Sequence, residues 1–252
     1  MDTIKQTTAN VASTAKGGGI RSILLMVVVI LLAYMLYQVA FGKKEKYLSK
    51  NVANAKVQQT ISGSDLPVGG SNYTYSMWFY VNDWNDGFGS EKVILQRNGQ
   101  GGKSAPKVYL SPIENNVNIE IECMASSLGG PTQTSTCTLA NIPLQRWVNL
   151  IISLNTRALD VYMDGKLVRT CVLPGSAVST SDSDTLFLSP NGQGFDGFTS
   201  AIKYIPKTIN PQTAYDIYTE GYGGGGLSSM LGKYKLKVAL LENGQETREF
   251  TL

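Results

Sequence analysis

The chain contains no histidine. That absence removes Ser-His-Asp and Cys-His catalysis, His-ligated zinc and a histidine pH switch. Cysteine is scarce, with only Cys123, Cys137 and Cys171. Their spacing fits no CxxC metal or redox motif, and an odd number is a poor disulfide framework. Unpaired buried thiols are the expectation, with Cys123 and Cys137 the pair that could face each other across a hairpin. Charge is also sparse, at 16% of residues, and the net formal charge is only +3. Several of the lysines flank an apolar run, so nucleic acid is not an expected partner.

What is present is an apolar run, Ile23 to Phe41, 19 residues with one strongly polar member, Gln38. As a helix it would span about 28 Å, close to the hydrocarbon thickness of a bilayer. Ile23, Leu24, Leu25, Val28, Ile30, Leu32, Leu36 and Phe41 would meet lipid, with Tyr34 and Tyr37 toward one interface. A cleaved signal peptide is the alternative, with Ala40-Phe41-Gly42 as a small-x-small site. The run is longer than a typical signal-peptide core and its N-terminal flank is long, which favours an uncleaved single span over residues 20–41. Lys43, Lys44, Lys46, Lys50 and Lys56 outnumber Lys5, Lys16 and Arg21 on the other flank. The positive-inside rule therefore leans toward a cytoplasmic C-terminal part. Asn72-Tyr73-Thr74 is a glycosylation sequon that matters only in the opposite topology.

Residues 1–19 read as a polar tail and 42–58 as a basic stalk, partly helical near the membrane. From about residue 59 the apolar period changes to two, with Gly, Asn, Asp and Pro clusters between runs. In "NVNIEIECMA" (116–125), Val117, Ile119 and Ile121 face one way and Asn118, Glu120 and Glu122 the other. "RWVNLIISL" (146–154) points Val148, Leu150, Ile152 and Leu154 to one face. "LDVYMDGKLVRT" (159–170) reads as a hairpin turning at Asp164-Gly165, which suits a type I′ turn. That register would pair Val161 with Val168 and Asp160 with Arg169. "NPQTAYDIYTEG" (210–221) carries a helix cap at Asn210, Pro211 in the first turn and Gly221 as a stop. Residues 223–252 read as a Gly hinge and a second hairpin turning at Asn243-Gly244. The predicted fold is an antiparallel β-sandwich over 59–222, one short helix included.

The strand "YSMWFYV", then "LQRWVNLIISLNTRALDVYMDGKLV", then "LFLSPNGQGFDGFTSAIKYIPKTINPQTAYDIYTEG", together resemble the laminin-G-like, concanavalin A-like jelly roll. Trp147, the Tyr162-Met163-Asp164-Gly165-Lys166 turn and Gly197 through Tyr204 occupy the places that family gives to a strand-opening Trp, a Y-x-D-G-K turn and the last strand. The layout also resembles membrane-anchored minor virion proteins of large nucleocytoplasmic DNA viruses. That second resemblance implies a non-enzymatic structural protein linking an internal membrane to capsid proteins. The jelly-roll resemblance implies glycan binding as an alternative and a degenerate glycoside hydrolase as a weaker one.

The residues that could carry chemistry are few. Glu120 and Glu122 share a strand face, but the rest of an E-x-D-x-x-E glucanase pattern is missing, so no catalytic residue is assigned. Laminin-G domains often hold Ca²⁺ at a sandwich rim, which makes Asn82, Asp83, Asp86, Asp182 and Asp184 the candidate ligands. The same residues are ordinary turn formers. Trp84 and Phe88 are candidate glycan or partner contacts, or loop anchors. Lys233, Lys235 and Lys237 alternate with Tyr234, Leu236 and Val238, which suits either docking by strand addition or covering an edge of the chain's own sandwich.

Overall fold

A computed structural model describes residues 25–34, 46–66, 70–99, 103–125, 130–181, 183–223, 237–242 and 245–251. The chain divides into two units, Met1–Lys44 and Glu45–Leu252. In the first unit the described residues form one helix, α1 (25–34), apolar on every side. Its large side chains are exposed throughout, from Leu25 at 65% to Tyr34 at 59%. No helix among the described residues is long and apolar enough to cross a membrane. Ten residues rise about 15 Å, half a hydrocarbon core. Of the expected span, Leu25, Val28, Ile30 and Leu32 lie on α1, while Ile23, Leu24, Leu36 and Phe41 fall outside the described residues.

The second unit is two packed antiparallel sheets. One has seven strands, in the order β1 (Lys46–Ser49), β13 (Asp196–Ile205), β4 (Asn72–Asp83), β9 (Trp147–Asn155), β10 (Ala158–Met163) and β11 (Lys166–Val172), with β2 (Ala53–Asn54) also on β13. The other has six, in the order β3 (Gln59–Ile61), β12 (Leu186–Leu188), β5 (Lys92–Gly99), β6 (Lys103–Leu110), β7 (Val117–Cys123) and β8 (Gln133–Leu139). Alternation explains the core. Tyr75, Met77, Phe79 and Val81 of β4, Val148, Leu150, Ile152 and Leu154 of β9, and Val117, Ile119 and Ile121 of β7 all enter one apolar cluster. The expected faces of β7 and β9 are therefore the observed ones.

The helix α2 (Pro211–Thr219) forms where expected, its N-terminus capped by Asn210 Oδ1 accepting from the Thr213 amide at 2.8 Å. Ala214 and Ile217 pack on Ile151, Tyr162 and Ile205, so α2 covers part of the outer face of the seven-stranded sheet. The last hairpin, β14 (Lys237–Glu242) with β15 (Gln245–Thr251), is a separate two-stranded sheet.

Three expectations need correction. The basic stalk over 42–58 is not a stalk: Lys46–Ser49 and Ala53–Asn54 are strands paired with β13. Their polar side chains disguise short edge strands, which natural sheets often charge. The Asp164-Gly165 turn has the expected positive φ at both residues (49° and 76°), but a bulge after Val161 shifts the pairing. Asp160 then faces Thr170, and Val161 faces Arg169, leaving Val168 41% exposed. Finally, Cys137 is bonded to Cys171, and Cys123 alone is free and buried. The bond ties β8 to β11, the edge strands of the two sheets at one side of the sandwich.

Candidate functional site

Antiparallel register builds an aromatic row across the outer face of the seven-stranded sheet. Tyr80 on β4 faces Trp147 on β9 and Phe198 on β13. Ring centroids lie 5.8 Å and 6.5 Å apart. One outward step along β4 places Trp78, which stacks on Tyr218 of α2 at 5.6 Å. The chain leaving α2 turns at Gly221 (φ 78°) and lays Tyr222 flat on Trp147, at 4.5 Å and 7°. Ser200 on β13 fixes that turn, its hydroxyl donating to the Tyr222 carbonyl at 2.6 Å. Lys203, itself buried, pairs with Glu220, whose carboxylate also accepts from the Tyr47 hydroxyl at 3.2 Å. β1, β13 and the end of α2 are thus locked together.

Tyr215, Tyr222 and Phe198 remain 51%, 44% and 43% exposed. Trp147 stands between two open clefts. One, of about 350 Å³, is lined by Val52, Tyr80, Asn82, Trp147 and Phe198. The other, of about 750 Å³, is lined by Trp78, Trp147, Tyr215, Asp216, Tyr218, Thr219, Gly221 and Tyr222. Polar groups are sparse at both. Asn82 donates to Asp196 at 2.8 Å, and Asp216 accepts from Gln212 at 2.9 Å. Rigid rings with a few polar edges suit a ligand that offers flat apolar faces and hydroxyls.

The acidic residues proposed for a cation do not come together. Asp83 accepts from the Asn85 amide, as turn residues do, and Asp86 pairs with Lys56 at 2.9 Å. Lys92, buried against the Trp84 ring at 4.6 Å, places a second ammonium within electrostatic reach of Asp86 and Asp83. Burial pushes the Lys92 ammonium below the usual lysine range, and the two aspartates oppose that shift. Lys56, Asp86 and Lys92 border a polar cavity of about 620 Å³ with Glu91 and Gly192. Asp184 is buried elsewhere, accepting from the Ser181 amide, and Asp182 is outside the described residues. Ser181 accepts from Arg97, five residues along β5 from Lys92. Among the described residues no group of three His, Cys, Asp or Glu could hold a metal ion.

Trp84 and Phe88 separate. Trp84 packs on the core and donates from Nε1 to the Ile113 carbonyl at 3.3 Å, whereas Phe88 is 59% exposed. Glu120 accepts from the Tyr109 hydroxyl at 2.8 Å, and Glu122 from Thr132 and Thr134. Both are engaged in their own sheet. Lys233, Tyr234, Lys235 and Leu236 lie outside the described residues, while Lys237 and Val238 open β14.

Sequence reasoning missed the aromatic face. Its signal was the outward parity of β4, where Trp78 and Tyr80 stand at positions that a half-buried strand normally gives to polar residues. Tyr222 carried no such signal, because its place depends on how α2 docks.

A laminin-G-type family model described as the concanavalin A-like lectin/glucanases superfamily matches residues 54–205. Among solved structures, the chain is similar to the receptor binding domain of botulinum neurotoxin mosaic serotype C/D. The TM-score is 0.53 at 9% identity, covering 72% of this chain and 48% of that one. It is also similar to the ligand binding domain of botulinum neurotoxin serotype D in complex with N-acetylneuraminic acid. There the TM-score is 0.50 at 11% identity, covering 73% and 50%. Domain 4 of AbnA, a GH43 extracellular arabinanase from Geobacillus stearothermophilus in complex with arabinotriose, gives 0.45 at 15% identity, covering 69% and 81%. At these identities the likeness is one of fold. The chain spans about half the length of the neurotoxin domains it matches. None of the curated proteins matches the sequence.

Proposed function

Because the chain belongs to the concanavalin A-like lectin/glucanases superfamily, we propose that it is a non-enzymatic binding module that takes glycan on the aromatic face of its seven-stranded sheet. The observation that carries this reading is the Phe198–Tyr80–Trp147 row with Tyr222 stacked on Trp147. Sugar rings present C–H faces that pack on such rings, and hydroxyls that Asn82 and Asp216 can meet at the cleft edges. The test is a glycan array probed with the full chain and with Trp147→Ala. Loss of a central Trp should weaken binding by about 2 kcal/mol, roughly thirtyfold. Binding that is absent, or unchanged in the variant, overturns the reading.

The apolar run around α1 serves in this reading as a single-pass anchor. The exposed, all-round apolar surface of α1 supports it, since such helices belong in lipid or a protein core. The Cys137–Cys171 bond favours an oxidising side of the membrane for the sandwich, opposite to the lysine count. Protease protection in sealed membranes with tags at both ends decides the topology. A second reading, a virion tether between an internal membrane and capsid proteins, is favoured by the β14–β15 hairpin, which forms its own sheet and leaves the sandwich strands unextended. Deleting residues 237–252 would then release capsid proteins from co-purification while leaving glycan binding intact.

A further inference from the structure

The chain carries a single N-x-S/T triplet, Asn72-Tyr73-Thr74, and the aromatic face makes no use of it. The triplet opens β4, with its asparagine exposed and its other two residues buried. Asn72 Oδ1 accepts from the Thr156 amide at 2.8 Å and from the Thr156 hydroxyl at 3.2 Å. These bonds hold the carboxamide by its oxygen. Among the described residues Asn72 Nδ2 donates to nothing, so the nitrogen of an exposed, oriented side chain is left to solvent. The chain just before it is open too, since a Cβ added at Gly70 would meet nothing within 4 Å. Asn72 has the outward parity of Trp78 and Tyr80, but it stands eight residues from Tyr80, about 26 Å along β4. A group attached there starts from the far end of the strand that carries the aromatic row.

Compartment is the second requirement. The Cys137–Cys171 bond belongs to an oxidising compartment, the setting in which exposed acceptor asparagines are modified. We propose that Asn72 is an N-glycosylation site, which rests on the reading that the sandwich lies on the oxidising side of the membrane. The donor is a polyprenyl diphosphate-linked oligosaccharide, brought by an oligosaccharyltransferase. A bond forms between Nδ2 and the anomeric carbon of the first sugar, and the bond from that carbon to the diphosphate oxygen breaks. The diphosphate leaves with the electron pair, and Nδ2 gives one proton to a base of the transferase. The carboxamide oxygen is untouched, so both Thr156 bonds persist. Thr74 sets the timing. Its hydroxyl, the third element of the acceptor triplet, is sealed in the fold, donating to the Lys207 carbonyl at 2.8 Å and lying 3.0 Å from Ser153 Oγ. Transfer therefore precedes closure of the sandwich.

The test expresses the full chain, tagged at both ends, in cultured animal cells. Peptide-N-glycosidase should remove one mobility step from the wild type, and release in heavy-oxygen water should label Asn72 as it becomes aspartate. Asn72→Asp, which keeps an acceptor for Thr156, should run without the step. The labelling of the wild type stands whether or not the variant folds. Protease protection in sealed membranes from the same cells separates the site from the topology beneath it. A protected sandwich without the step overturns the site alone. A sandwich digested from outside, without the step, overturns the site together with its topology. A step that persists in Asn72→Asp puts the glycan on another residue and also overturns the site.

Discussion

Removing the Cys137–Cys171 bond tests the sandwich at its seam. The bond closes a segment of 34 residues and ties β8 to β11, edge strands of opposite sheets. In the chain-entropy treatment, closing such a loop removes about 12.6 cal/mol/K from the unfolded ensemble, or about 3.8 kcal/mol at 25 °C. Real bonds often deliver less, so Cys137→Ala/Cys171→Ala should lose about 2–4 kcal/mol. For a domain of this size that lowers the midpoint by roughly 4–16 °C. The assay is urea unfolding of the double variant beside the wild type, with and without reductant. Reductant should destabilise the wild type and leave the variant unchanged. Thiol counting in denaturant should find one thiol before reduction, Cys123, and three after. A loss below about 0.5 kcal/mol, the level of an ordinary surface change, or three thiols before reduction, would refute the reasoning.

Gly165→Ala should destabilise by about 2 kcal/mol in the same assay. Its φ is +76°, and an added Cβ would sit 3.1 Å from Tyr215 Cα and Tyr218 Cβ on α2. Trp84→Ala should lose about 2 kcal/mol or more, since it opens the core edge and strips the ring from Lys92. Phe88→Ala should stay within about 0.5 kcal/mol. Base should unfold the protein. Tyr73, Tyr75 and Tyr204 are shifted upward by burial from an ordinary 10.0, so their contribution is fully present below pH 10 and is lost as pH rises beyond it. A midpoint that is flat between pH 9 and pH 11 would contradict this.

Most of the sandwich is legible in the sequence because burial on one face imposes alternation. β7 shows this plainly, with Val117, Ile119 and Ile121 inward and Asn118, Glu120 and Glu122 outward. α2 is legible from its cap and its stop. What hides is non-local. β1 and β2 look like a basic stalk because edge strands need few apolar residues. β8 reads "QTSTCTL" and offers β-branched threonines without an apolar stripe. The Val161 bulge answers to packing, and no local motif announces it. The disulfide joins residues whose proximity depends on both sheets being formed. The aromatic face is half-legible: Trp78 and Tyr80 stand at outward positions, but Tyr218 and Tyr222 arrive only when α2 docks.

The most direct test of the central claim is quantitative binding of one array-selected glycan to the wild type, Trp147→Ala and Tyr222→Ala, with folding checked by unfolding midpoint. The aromatic face predicts that both variants fold and that both weaken binding, Trp147→Ala by roughly thirtyfold. Undiminished binding by folded Trp147→Ala would contradict it and move the ligand to another surface of the sandwich.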